Sequence, residues 1–118
     1  MRHDNVVYIK AKRFALRIYW LKKELVDKRE YVFADQILRS GTSIGANISE
    51  AIDAASRPDF HNKLRIALKE CSETKYWLEL LRDIHLISTD TFQSLYTDVQ
   101  ELYRLLSSIC KTLQDERK

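Results

Sequence analysis

The histidines, the cysteines and a basic N-terminal segment are the residues whose types suit chemistry, and each has a spacing to satisfy. Helical bundles that hold two metal ions set inward carboxylates beside Glu-x-x-His pairs, and no Glu-x-x-His occurs in this chain. His85 follows Asp83 by two positions near an expected helix end, where a cation is favourable in any case. His61 adjoins Phe60 in an expected first turn, and His3 stands in the N-terminal stretch. Some small helical nucleases carry an Arg and a His separated by a longer gap than either pair here. Arg57 and His61 have only Pro58, Asp59 and Phe60 between them; Arg82 and His85 have Asp83 and Ile84. No phosphate loop precedes a helix, because both glycines fall inside a helical pattern. The residues predict no metal, no cofactor and no enzymatic activity.

Nucleic-acid binding fits the charges better. Residues 1–29 carry nine Lys/Arg against three Asp/Glu, whereas the other 89 residues carry eleven against fourteen. The net charge of +3 therefore hides a basic N-terminal element. On a helix, Lys10, Arg13 and Arg17 share one flank, Lys12 and Lys23 lie further round, and Lys22 extends the charge towards Lys28 and Arg29. Such side chains contact phosphates and confer affinity without sequence selectivity. A solvated helix face would look the same in one subunit, so both readings stand. Tyr19 and Trp20 suit base stacking or burial between subunits. The sequence pI of about 8.9 is modest for a dedicated nucleic-acid binder.

Those residues must be positioned by helices. Apolar spacing predicts four, at about 10–28, 32–55, 58–86 and 90–114. Their seams are Phe14, Ile18, Leu21 and Leu25; Ile37, Gly41, Ile44, Ile48, Ala51 and Ala55; Phe60, Leu64, Ala67, Cys71, Thr74, Leu78 and Leu81; then Phe92, Leu95, Val99, Leu102, Leu106, Ile109 and Leu113. Pro58 suits a first turn, with Asp59 favourable to the dipole, and Ser88, Thr89 and Asp90 are candidate caps. Connections are short, which forces consecutive helices antiparallel. The expected fold is all-α, an up-down-up-down four-helix bundle forming a single domain over residues 1–118. In that register Cys71 lies level with about Arg104, and Cys110 is roughly 9 Å further along, too far for a disulfide. Reduced thiols, no apolar leader at the N-terminus and a longest uncharged run of ten residues (Ser40 to Ser49) predict a cytoplasmic protein that does not enter a membrane.

Apolar residues off the seams predict more. Leu16, Tyr19 and Trp20 leave the first stripe, and Trp77 belongs to a second stripe on the third helix. A helix apolar on two faces usually buries both, so these four are candidate oligomer-interface residues; broad seams in a compact bundle are the competing reading. Gly41 and Gly45, the only glycines, each cost a helix interior about 1 kcal/mol relative to alanine. With Ser40, Thr42, Ser43, Ala46 and Ser49 they predict a close approach to something.

The run RSGTSIGANISEA, followed by SRPDFHNKLRIALKECSETKYWLELL, resembles the four-helix-bundle proteins encoded in intervening sequences of bacterial 23S ribosomal RNA genes. The accessory variability determinant proteins of diversity-generating retroelements are similar in fold. The resemblance extends from about Phe14 to about Leu113, and Arg39, Gly41, Thr42, Ser43, Gly45, Ala46, Asn47 and Glu50 lie in its central motif. It implies a bacterial protein assembled as a toroidal homopentamer, with RNA or DNA, or a protein such as a reverse transcriptase, as partner. Two readings of the motif stand: a recognition surface made by Arg39, Asn47 and Glu50, or small residues admitting a neighbouring helix while polar ones bond across the contact.

Overall fold

The computed structural model describes residues 5–116, and within them the chain forms four α-helices and no strand. These are α1 (Val6–Asp27), α2 (Tyr31–Ile52), α3 (Arg57–Asp83) and α4 (Thr89–Glu116). α1 starts earlier than the apolar spacing suggested. Asn5 caps it, its side-chain oxygen accepting from Tyr8 N at 2.9 Å, and Val7 and Ala11 extend the buried seam upward from Phe14. Ser56 caps α3 in the same way, accepting from Asp59 N at 3.2 Å, with Pro58 in the first turn.

Two helices end without glycine. After α1, Arg29 N donates to Val26 O and Glu30 N to Leu25 O; after α3, His85 N donates to Arg82 O and Leu86 N to Leu81 O. This paired pattern puts one residue in the left-handed region, and here Arg29 (φ 60°) and His85 (φ 63°) occupy it. Both turns lie at one end of the bundle, tied together by Lys28 Nζ, which donates to Leu86 O at 2.8 Å.

Contacts between helices run antiparallel throughout. Gly41 and Gly45 of α2 meet Ile18 and Ala11 of α1; Ser40 and Glu50 meet Thr74 and Lys63 of α3; Lys75 and Arg82 meet Tyr103 and Phe92 of α4. Arg17 of α1 reaches Asp98 of α4 and closes the circle. The bundle measures 48 × 23 × 21 Å, its length set by α3 and α4, each about 40 Å at 1.5 Å per residue.

The core follows the seams with four corrections, one being that Leu113 near the end of α4 is only half-buried. His61, not Phe60, is the buried first-turn residue of α3; Cys110, not Ile109, is buried on α4; and Ala55 lies beyond the end of α2, exposed. One polar pair is fully buried. Thr74 Oγ1 lies 2.8 Å from Glu70 O and 3.1 Å from Ser40 Oγ. With one hydroxyl hydrogen, Thr74 donates to the carbonyl and accepts from Ser40, so neither group is orphaned.

The glycines differ in their surroundings. A Cβ on Gly45 would sit 3.6 Å from Ala11 Cβ, an ordinary contact, whereas one on Gly41 would sit 2.9 Å from Ile18 Cγ2. Gly45→Ala should therefore recover helix propensity without a clash and raise stability by about 0.5–1 kcal/mol. Urea denaturation checks it; a loss of stability would mean that α1 lies closer to Gly45 than the 3.6 Å contact allows.

Candidate nucleic-acid interface

Helix α1 presents its basic residues in two groups. Lys10 pairs with Glu101 at 2.8 Å, and Arg17 pairs with Asp98 while its second nitrogen donates to Ser94 Oγ at 2.7 Å. Both are ties to α4. The hydrogen bond from Lys10, then its charge, holds the Glu101 carboxyl below the usual range. Lys12, Arg13, Lys22 and Lys23 make no ion pair among the described residues, and all but the half-buried Lys22 are exposed. Between them runs an apolar strip: Leu16 is 58% exposed, Trp20 63% and Tyr19 43%, the two rings in edge contact at 5.2 Å.

The Gly41 motif is occupied within the chain. Arg39 spans from α2 to α3, bonding Glu70 at 3.4 Å and pairing with Glu73, while Gln36 accepts from its Nε at 3.2 Å. Glu50 faces Lys63 at 3.7 Å. Asn47 donates to Ser43 O at 2.8 Å, Ser43 to Arg39 O at 2.7 Å and Thr42 to Leu38 O at 2.7 Å, all within α2. Ala46 is exposed. Trp77 is half-buried, its Nε1 donating to Glu73 at 3.0 Å and its ring in edge contact with Phe33 and Tyr76. Arg39, Glu73 and Trp77 thus form one polar clamp across α2 and α3.

Sequence reasoning missed the α3/α4 groove. Lys75 Nζ sits 4.1 Å from the Tyr103 ring centre and Arg82 4.2 Å from that of Phe92, which stacks on Tyr96 at 4.8 Å. Tyr96 donates to Glu79 at 2.9 Å, and burial first, then that bond, raises its pKa. The available signal was the off-seam row Tyr96, Tyr103 and Cys110 on α4.

A recess of about 990 Å³ at the loop end sets Lys28, Arg82 and His85 against Glu24 and Asp83, so it has no single sign. Among the described residues no group of three or more His, Cys, Asp or Glu side chains could hold a metal ion, and no helix is long and apolar enough to cross a membrane. His3 lies outside the described residues.

Both thiols are free and buried. Burial pushes Cys71 up from 9.0 to about 12 and raises Cys110 as well. Raised folded-state values favour the protonated thiol, so this contribution is intact below the unfolded pKa and lost as pH climbs from about 9 towards 12. Wild-type stability should fall more steeply than that of Cys71→Ala across this window, by at most about 1.4 kcal/mol per pH unit. Urea midpoints at pH 8, 9.5 and 10.5 check it, and parallel curves would refute it.

The family model described as 23S rRNA-intervening sequence protein matches residues 3–108. A crystal structure of a protein of unknown function from the S23 ribosomal protein family of Bacteroides thetaiotaomicron VPI-5482 is similar, with a TM-score of 0.88 and 53% identity, covering 90% of this chain and 99% of that one. No curated protein matches.

Proposed function

The chain belongs to the 23S rRNA-intervening sequence protein family, and from that premise we propose that it is a non-enzymatic accessory protein that works as a homo-oligomeric ring and binds nucleic acid through α1. The observation that supports this reading is the outer face of α1, where Lys12, Arg13, Lys22 and Lys23 have no carboxylate partner among the described residues and flank the exposed Leu16, Tyr19 and Trp20. Unpaired cations suit phosphate contact. An exposed apolar strip suits a subunit interface, and the exposed Val32 of α2 and Tyr76 of α3 offer apolar contacts away from α1 for the other side of a head-to-tail ring. A ring repeats the cations, so weak single-subunit contacts add as avidity. The family description names 23S rRNA, which makes RNA the first polyanion to test. The bacterial cytoplasm is the compartment this reading assumes.

The test is a titration of the purified oligomer with labelled RNA and DNA at low and physiological salt. Reversing Lys10 or Arg17 would set carboxylate against Glu101 or Asp98 and disturb the fold, so the informative reversal is Lys12→Glu, Arg13→Glu and Lys23→Glu. Binding that weakens steeply with salt and falls at least tenfold in that variant supports the reading. Absence of binding at low salt would favour the second reading, a ring that scaffolds a protein partner such as a reverse transcriptase, which the apolar strip also suits.

A further inference from the structure

We infer that the α3/α4 groove is a second binding site, for a single-stranded polynucleotide, centred on Tyr103. Two recesses border this ring. One, of about 220 Å³, is lined by Arg65, Leu68, Lys69, Ser72 and Tyr103; the other, of about 90 Å³, by Lys75, Gln100, Tyr103 and Arg104. Four cations line the two recesses and no carboxylate does. Two acidic side chains lie near them: Glu79, engaged by the Tyr96 hydroxyl, and Glu101, which feels the charge of Arg104 but is bonded by Lys10 of α1. Along α3, Arg65 and Lys75 are about 15 Å apart, the reach of several nucleotides.

An aromatic ring flanked by cations is the arrangement that holds single strands: rings stack bases of any sequence while Lys and Arg follow the phosphates. Lys75 now rests on the Tyr103 ring, 4.1 Å from its centre. A phosphate drawing that ammonium aside exchanges a cation–ring contact for a charge-assisted bond and frees the ring for a base. A duplex keeps its bases stacked internally and gains only the phosphate contacts. The groove is lined mainly by cations and an aromatic ring, groups that meet phosphates and base faces whatever the sugar, so RNA and DNA single strands should bind alike. Because α1 packs on α2 and α4, the groove opens on a different side from the α1 strip and stays accessible if that strip joins subunits.

This inference shares the nucleic-acid role proposed above and not its site, so the experiment separates them. Fluorescently labelled 12-nucleotide oligo(U) and oligo(dT), a duplex of equal length and poly-glutamate are titrated against the full chain across a salt series. The variants are the α1 reversal given above, a groove variant (Arg65→Ser, Lys69→Ser, Arg104→Ser) at exposed positions that spare the core, and Tyr103→Ala beside Tyr103→Phe. The groove variant should bind both single strands at least tenfold more weakly, with a salt slope shallower by about 2. Tyr103→Ala should lose about 5- to 100-fold, Tyr103→Phe should retain affinity, and the duplex should be insensitive to either. Wild-type binding in the groove variant, with loss only in the α1 reversal, overturns the groove site and leaves the α1 reading intact. Absence of binding in every form overturns both. Poly-glutamate binding indifferent to Tyr103 would assign the groove to an acidic protein instead.

Discussion

Gly41→Leu should cost about 3–5 kcal/mol and lower the melting temperature by roughly 10–20 °C, despite leucine's better helix propensity. The first added carbon alone falls 2.9 Å from Ile18 Cγ2 and 3.3 Å from Ile18 Cβ. Ile18 cannot turn aside, because it is fully buried and its branched β-carbon leaves few rotamers. α1 must therefore move away from α2, opening the contacts that Ala11 and Ile18 make with Gly45 and Gly41. The ties from Lys10 and Arg17 to α4 resist that movement. Gly41→Leu combined with Ile18→Ala should recover about 2 kcal/mol relative to the sum of the single changes, since the new side chain enters the space the old one leaves. Urea denaturation and circular dichroism measure both. A Gly41→Leu protein with wild-type stability would show that the helices do not approach as described.

The glycine pattern carried the close approach but not its partner. Apolar spacing locates helices because burial repeats with the helical period, and small residues on a seam announce a narrow gap. Nothing in the α2 run says whether α1, α3 or another subunit fills that gap. The structure fills it with α1 at Gly41 and Gly45, and with α3 at Ser40, through Thr74. The shifts at His61 and Cys110 have the same origin. Phe60 and Ile109 are the more hydrophobic choices at their positions, yet the neighbouring residues His61 and Cys110 are the ones buried. Phe60 and Ile109 still pack against the core's edge.

Charge was less legible than packing, for a related reason. A count of lysines and arginines treats each as free, whereas pairing depends on a second helix distant in sequence. Lys10 and Arg17 are consumed by Glu101 and Asp98, residues more than eighty positions away. The α3/α4 groove shows the converse. Arg65, Lys69, Lys75 and Arg104 stand in a region of the chain with net negative charge, and only folding sorts them away from acidic neighbours that face α1 or α2. A local charge sum therefore points at α1 and overlooks the groove.

If the proposed ring joins its subunits through the α1 strip, Leu16→Glu with Trp20→Glu should yield folded monomers. These side chains are 58% and 63% exposed in the single chain, so charging them removes little burial from the bundle, and stability should change by less than about 1 kcal/mol. Charging them inside a subunit contact is different. Each desolvated carboxylate costs several kcal/mol unless paired, and a ring applies the penalty at every interface. Lys12, Arg13 and Lys23 beside the strip would reinforce the opposite outcome, partial neutralisation, only if the strip stays in water. Light scattering and circular dichroism together discriminate. Monomers with wild-type helicity place the subunit contact on α1; an unchanged mass would move it elsewhere, with Val32 and Tyr76 the next residues to charge. Polyanion affinity should fall with the mass by more than any single phosphate contact explains, on the order of 10²-fold or more, because linked sites act through effective concentration. If monomers instead bind RNA as tightly as the ring, avidity contributes nothing, and the reading that uses a ring to repeat weak phosphate contacts is wrong.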